Sequence, residues 1–370
     1  MNIICYNDIL FYNGKFYTNK KNIKTCNLHN RFNMPFTPLD IDNIVLNETP
    51  EKLDKGILLI SEFHWNPAHH MWDHVYPSWY GLFYHLTEHS IDGDFQWITM
   101  QGFNYIYGDR HINNLEIFSG NKLYPIELFS HKYSKPIIIP WLITGLDNIG
   151  IGCVNKKTLF VEKGISINNL DPIEIFINRW YKRYDIIRNT LLEKSNNICN
   201  NIIYITNKRK YNGIENLFLK LNDKYNGKYN FKIINYENYN FKEQLQILNT
   251  TILCIAGVGT ARFNTPFLPN GAIEIQTFDH SLSNNKYIQY VDYHGGTLSN
   301  FIKVINIPYY TLEEANKQIY SGFLEEYIDK ELKNIPCNVP INLEDNIPDE
   351  IKLLKNNENY DENFDKWRNN

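Results

Sequence analysis

The sequence predicts an α/β fold with a doubly wound parallel sheet in its C-terminal half, and three observations carry that prediction. Between residues 202 and 276, short apolar strands alternate with helical stretches in β-α-β-α-β order. Those strands are nearly continuous apolar runs, the pattern of a sheet covered on both faces. At 370 residues, the chain also exceeds the roughly 250–300 residues at which one core stops growing, so two domains are expected.

The first half reads as irregular α/β. Gly56 to Ile60 is a short buried-strand signal, leading through Ser61-Glu62-Phe63 to Asn66-Pro67. Asn66 is a strong N-cap and Pro67 suits the first helical position, so a helix opens there. Pro77 should kink it on the way to His85. Phe95–Thr99, Asn114–Phe118 and Pro136–Trp141 are further strand candidates between Gly- and Asn-rich turns. A long helix is expected from Asp171 to Ser195, with Ile173, Phe176, Ile177, Trp180, Tyr184, Ile187 and Leu191 at helical spacing. The polar stretch from Glu193 to Asn201 is the candidate linker.

The second half is more regular. Strands are expected at Ile202–Thr206, Phe231–Ile234, Thr251–Ala256 and Ala272–Gln276, with helices at Ile214–Lys224 and Phe241–Leu248. The third strand runs into Gly257-Val258-Gly259-Thr260 and a further helix. Thr311 to Leu332 reads as one acidic amphipathic helix, and the chain is polar from Asn342 onward.

A net charge of −4 with dispersed basic residues gives no electrostatic reason to expect nucleic acid or an anionic membrane surface. No run approaches the ~20 apolar residues of a membrane span, and the N-terminus lacks the basic start and apolar run of a signal peptide. A cytoplasmic protein is therefore expected. The six cysteines are scattered without a C-x-x-C pair, which argues against structural zinc and a dense disulfide framework. Abundant Asn, Ile, Lys and Tyr fit an AT-rich microbial or viral genome.

Two places carry chemistry. In the helix opening at Asn66, His69 and Asp73 stand at i and i+4, and His70 with His74 lines an adjacent face. Trp65, Trp72 and Trp79 lie close by in sequence. Such a concentration of ionisable groups suits acid/base work. The same i, i+4 pairs, with Glu62, His85 or His89, also have the spacing of a helix that chelates metal.

The second place is the carboxyl end of the C-terminal sheet, where open α/β sheets bind ligands. One strand ends in Asn207-Lys208-Arg209-Lys210. Another ends in Gly257-Val258-Gly259-Thr260-Ala261-Arg262. The glycines allow close backbone approach, and the following helix start offers free N–H groups to a phosphate. Glu274 is expected on the same rim, accepting bonds from ribose hydroxyls. A dinucleotide oxidoreductase is disfavoured, because the G-x-G lies on a late strand without an acidic residue ~20 positions on.

With these residues in view, the chain resembles glycosyltransferase family 61, which includes the EGF-domain O-GlcNAc transferase, the O-mannose-linked GlcNAc transferase and plant core xylosyltransferases. Asn66-Pro67-Ala68-His69-His70-Met71-Trp72-Asp73 fits the family's N-x-x-H-x-x-x-D signature. Phe241-Lys242-Glu243-Gln244-Leu245 resembles its helix with a Glu-Gln pair, and Phe267-Leu268-Pro269-Asn270-Gly271-Ala272 with Glu274 its F-L-P-x-G-A…E block. Thr206 to Asn216 is similar to its basic segment. Two positions depart: Val258-Gly259 stands for the family's His-Gly, and Asn212 for an arginine.

The resemblance implies a GT-B fold, two Rossmann-like domains facing a cleft. Residues 1–192 would bind the acceptor and supply the base, and residues 202–310 would bind the nucleotide sugar. Residues 311–340 would pack back as a helix, and 341–370 would form a tail. The donor would be a nucleotide sugar, usually a UDP-sugar, transferred with inversion to a glycan or protein hydroxyl, without a metal or other cofactor. Asp73 and His69 would be catalytic. Lys208, Arg209, Gly257, Gly259, Thr260, Ala261, Arg262 and Glu274 would bind the donor, and Asn66, His70 and Trp72 the acceptor. The competing expectations are a metal-dependent enzyme built on His69, His70, Asp73 and His74, or a degenerate relative that binds sugar without catalysis.

Overall fold

The computed structural model describes residues 2–19, 23–27, 38–60, 71, 75, 79, 93–99, 109–144, 172–191, 199–206, 212–257, 260–279, 302–309, 312–333 and 335. The chain forms two compact units, Met1–Ile186 and Ile187–Asn370.

The first unit is built on a mixed sheet. Its described strands are β1 (Asn2–Tyr12), β2 (Lys15–Thr18), β3 (Ile23–Asn27), β4 (Leu39–Asp40), β5 (Glu51–Lys52), β6 (Ile57–Ile60), β7 (Gln96–Thr99), β8 (Tyr124–Pro125) and β9 (Ile137–Thr144). They lie in the order β4-β2-β1-β9-β6-β7-β8, with β3 beside β1 and β5 beside β9. The run β9-β6-β7-β8 is parallel. Strand β1 is antiparallel to β9, β2 and β3, so antiparallel strands extend that parallel core. The β1–β2 turn is Asn13-Gly14, both residues at positive φ, a backbone twist suited to a tight hairpin.

One face of this sheet buries Tyr6, Ile9, Phe11, Ile57, Leu59, Ile98, Ile139 and Leu142 around Phe129 of α2 (Ile126–Lys132). A second group is aromatic. Phe118 ends α1 (Asp109–Ser119) and meets Phe176 and Trp180 of α3 (Pro172–Arg183), with ring centroids 5.2 and 4.4 Å apart. Arg179 is buried among them. Its Nε donates to Phe118 O at 3.0 Å, and its guanidinium lies over the Phe95 and Phe118 rings. Gly56 precedes β6 beneath Trp141, whose indole occupies the space a Cβ would need.

One strand and one helix expectation are corrected here. Asn114–Phe118 is helix, not strand, because Leu115 and Phe118 bury a face at helical spacing while Ile117 between them is exposed. Helix α3 stops at Arg183, far short of Ser195. Asp185 takes φ +56, the Asp185 N–H bonds Lys182 O, and the Ile186 N–H bonds Tyr181 O. That pair of bonds is a Schellman stop. Ile187, which the periodicity placed on the buried face, is 88% exposed.

The second unit is a five-stranded parallel sheet in the order β11-β10-β12-β13-β14. Its elements are β10 (Asn201–Ile205), α4 (Ile214–Tyr225), β11 (Asn230–Ile234), α5 (Phe241–Asn249), β12 (Thr251–Gly257), β13 (Ile273–Asp279), β14 (Lys303–Tyr309), α6 (Leu312–Tyr320) and α7 (Phe323–Lys333). The expected doubly wound arrangement is therefore present, with β14 as a fifth strand that the sequence reading missed. Register places Tyr204, Ile255, Ile275 and Ile307 on one face. Helices α4, α6 and α7 cover that face: Phe218 meets the Phe231 ring, and Ile214, Ile319 and Leu324 meet Tyr204, Ile255 and Thr277 around a cavity of about 10 Å³. The single helix expected over Thr311–Leu332 is instead α6 and α7, broken where Gly322 takes φ +84.

Between β12 and β13 runs a 3-10 helix, Thr260–Phe267, where an ordinary helix was expected. The crossover must return along a strand of seven residues within a short linker, and 3-10 geometry rises about 2.0 Å per residue against 1.5 Å for the α form. Pro266 inside it also has no N–H to give to an α ladder.

Candidate functional site

The strand order of the second unit, in chain sequence 2-1-3-4-5, reverses direction between β10 and β12. That reversal is the switch point at which open α/β sheets leave a crevice for ligands, outside the strands' carboxyl ends. Ile205 pairs with Ala256 across these two strands, so the residues that follow, Thr206 and Gly257, leave the sheet side by side. Thr206 is pinned there, its N–H bonding Ile234 O at 2.8 Å. Gly257 is buried at the end of β12, next to Thr277 of β13.

Thr260, Ala261 and Arg262 form the first turn of the 3-10 helix, whose first N–H groups have no partner within the helix. Lys208, Arg209 and Gly259 lie outside the described residues, between described residues that bracket the switch point. Glu274 lies deeper than the strand end where it was expected. It pairs with Cys254, three residues before Thr277 reaches Gly257, and so sits about 10 Å back from the rim at a strand rise near 3.3 Å per residue. It is fully buried within the sheet.

The F-L-P-N-G-A block also lies away from the rim, at the amino end of β13. Phe267, Leu268 and Ala272 are buried, and Gly271 takes φ +87 in a turn closed by Ala272 N–H to Pro269 O. The start of the unit docks on this turn: Arg188 donates to Leu268 O, and the Leu191 N–H to Asn270 O at 2.8 Å. Asn249 fixes the same segment, with its side chain bonding Ile187 O and the Asn189 N–H. The block is scaffold.

The Glu-Gln pair on α5 is scaffold with a reach toward the site. Glu243 forms a capping box with Asn240. The Gln244 amide donates to Tyr236 O and Tyr239 O and accepts from the Asn264 side chain of the 3-10 helix at 2.8 Å. Sequence reasoning took this pair only as a signature. Polar residues at the first turn of a helix, with Asn240 three before Glu243, were the signal for the cap.

In the first unit, Asn66, His69, His70, Trp72 and Asp73 lie outside the described residues, as do His74, His85, His89 and Glu62. Met71, Val75 and Trp79 are described, helical and buried. The Trp79 ring packs 5.5 Å from Phe176 of α3, so this tryptophan belongs to the core. Among the described residues no three His, Cys, Asp or Glu side chains gather as a metal site, and Cys5, Cys199 and Cys254 form no disulfide. No described helix is long and apolar enough to cross a membrane.

The decisive comparison is with protein families: the model for glycosyltransferase 61 matches residues 69–275, more than half of the chain. The chain belongs to glycosyltransferase family 61. It is a glycosyltransferase enzyme, which moves a sugar from a donor to an acceptor. A search of curated proteins gave no match. The family match begins at His69 and ends at Ile275, and so takes in both chemistry-bearing stretches.

Proposed function

We propose that this family 61 enzyme transfers a sugar from a nucleotide-sugar donor, a UDP-sugar in the first instance, to a glycan or protein hydroxyl with inversion and without a metal. One observation carries the reading: Thr206 and Gly257 leave the sheet together at its switch point, each leading into a segment suited to a diphosphate. Lys208 and Arg209 of one segment, and the N–H groups at Gly259–Ala261 with Arg262 of the other, are assigned to the diphosphate. They neutralise charge as it develops on the departing diphosphate.

The proposed reaction is a single displacement. The acceptor oxygen forms a bond to the sugar C1 while the bond from C1 to the diphosphate oxygen breaks. The electron pair leaves with the nucleoside diphosphate, and the acceptor proton passes to Asp73, oriented by His69. Asn66, His70 and Trp72 are assigned to the acceptor. The GT-B arrangement implied by family likeness belongs to this proposal, with residues 1–192 serving the acceptor and 202–310 the donor.

The test is thermal stability of metal-free protein against UDP-, GDP- and CMP-sugars, NAD and divalent metals. A rise in Tm with one nucleotide sugar, undiminished by chelator, is expected. A shift from zinc, iron or manganese alone, without any nucleotide response, would move the chemistry to a metal held by His69, His70, Asp73 and His74.

A further inference from the structure

We propose that Gln244 and Asn264 are positioning residues for the donor, holding the first turn of the 3-10 helix in place before donor arrives. The consequence for donor binding rests on the donor-site reading above; the contacts stand on their own. The helix spans the eight residues Thr260–Phe267, in a geometry that seldom runs beyond about three or four. It therefore needs support from outside, and α5 supplies it at two successive turns. The Asn264 amide nitrogen donates to Gln244 Oε1 at 2.8 Å. The Phe267 ring meets Phe241 edge-on, with centroids 5.6 Å apart. At about three residues per turn, positions 261, 264 and 267 fall in one line along the helix. Ala261, in the turn assigned to the diphosphate, is thus one turn beyond the hydrogen bond and two beyond the ring contact.

The support is itself fixed. Phe241 and Gln244 lie one turn apart on α5, whose Leu245 and Leu248 are fully buried. The capping box of Asn240 and Glu243 closes the start of that helix. The Gln244 nitrogen is anchored as well, donating to Tyr236 O at 3.1 Å and to Tyr239 O at 3.0 Å in the turn after β11. One side chain thereby joins the exit of β11 to the helix that follows β12, and these two strands flank β10 in the sheet. Backbone N–H groups held in this way lose less freedom on meeting a diphosphate, and that saving appears as affinity. Gln244 and Asn264 set donor affinity without touching donor.

The test uses Asn264→Ala, which breaks the tie to α5 and leaves the Gln244 bonds to the β11 turn in place. In ligand-free protein, amide exchange across Thr260–Phe267 should accelerate. In turnover, the KM for the nucleotide sugar should rise about fivefold, the scale of one net hydrogen bond. The kcat and the acceptor KM should change less than about twofold. A loss of folded protein alone would lower kcat and leave the donor KM where it is. Gln244→Leu should raise the donor KM by at least the same factor, and the double variant no further, because both act through one bond. Unchanged exchange, an unmoved donor KM, an equal rise in the acceptor KM, or full additivity in the double variant each overturns the proposal. A wild type that ignores every nucleotide sugar overturns the donor-site reading and the donor role of this tie together. A responsive wild type matched by Asn264→Ala overturns the tie alone.

Discussion

The Gln244 amide oxygen accepts a 2.8 Å hydrogen bond from the Asn264 amide, tying α5 to the 3-10 helix that follows Gly257. The Gln244 nitrogen meanwhile serves two carbonyls, Tyr236 O and Tyr239 O. Gln244→Leu strips partners from three polar groups at once, and the expected cost is about 1–3 kcal/mol in urea unfolding. Stability equal to wild type would show that this brace contributes nothing.

Asp73→Asn should abolish transfer while nucleotide-sugar binding, read by the Tm shift, stays close to wild type. The amide keeps the size of the carboxylate but takes no proton from the acceptor. Near-normal turnover in Asp73→Asn would remove Asp73 from the base role.

Acid should loosen α4 from α7. Lys224 bonds Asp329 and Glu325, Lys220 bonds Glu325 at 2.6 Å, and the Tyr225 hydroxyl donates to Asp329 at 2.6 Å. Partial burial works to raise the Asp329 carboxyl, but the bonds from Lys224 and Tyr225 outweigh it and hold it below its ordinary value. The bond from Lys220 does the same for Glu325. Depressed carboxyls stabilise the fold fully above the ordinary carboxylate range, about pH 4, and that stability is lost as pH falls through the lowered values. The urea midpoint should therefore fall below about pH 4, and less steeply in Lys224→Met. Parallel acid limbs in the two proteins would refute the linkage.

Gly56→Ala should destabilise the protein by about 1–3 kcal/mol, the usual range for forcing an extra methyl into a packed core. The indole of Trp141 occupies the space the new Cβ would take. The double variant with Trp141→Leu should recover much of the loss, as contacting sites are non-additive. A single variant as stable as wild type would mean the indole moves aside freely.

The second unit was legible because each local signal agreed with its neighbours. Ile202–Thr206, Phe231–Ile234 and Thr251–Ala256 were read within a residue or two of the observed strands, since a sheet covered on both faces writes itself as unbroken apolar runs. Asn114–Phe118 failed because five residues are too few to separate a strand from one buried face of a helix. Helix α3 was overextended because apolar spacing continues through Ile187 and Leu191, whereas the stop lies in the αL backbone of Asp185, where glycine is the usual signal. Strand β1 was missed because Asn7-Asp8 splits its apolar run. In the sheet those residues fall where β9 carries Pro140 and has no N–H to offer. The switch point was legible at its two strand ends, but the depth of Glu274 needed the register with Cys254, which no single strand contains.

The all-parallel register of the second unit bears on how the chain reaches its fold. Each adjacent pairing, β10 with β11, β10 with β12, β12 with β13 and β13 with β14, joins strands that no tight turn can bring together. The first unit can start locally, from the Asn13-Gly14 hairpin, which forms on a timescale of about 1–10 μs. The second must close long loops before any ladder bond rewards it, and this slows assembly and leaves apolar strands such as Thr251–Gly257 exposed longer to other chains. Production of the enzyme should therefore be limited by the rate at which this sheet assembles, and cooler, slower synthesis should raise the yield of folded protein more than any change to its surface charge.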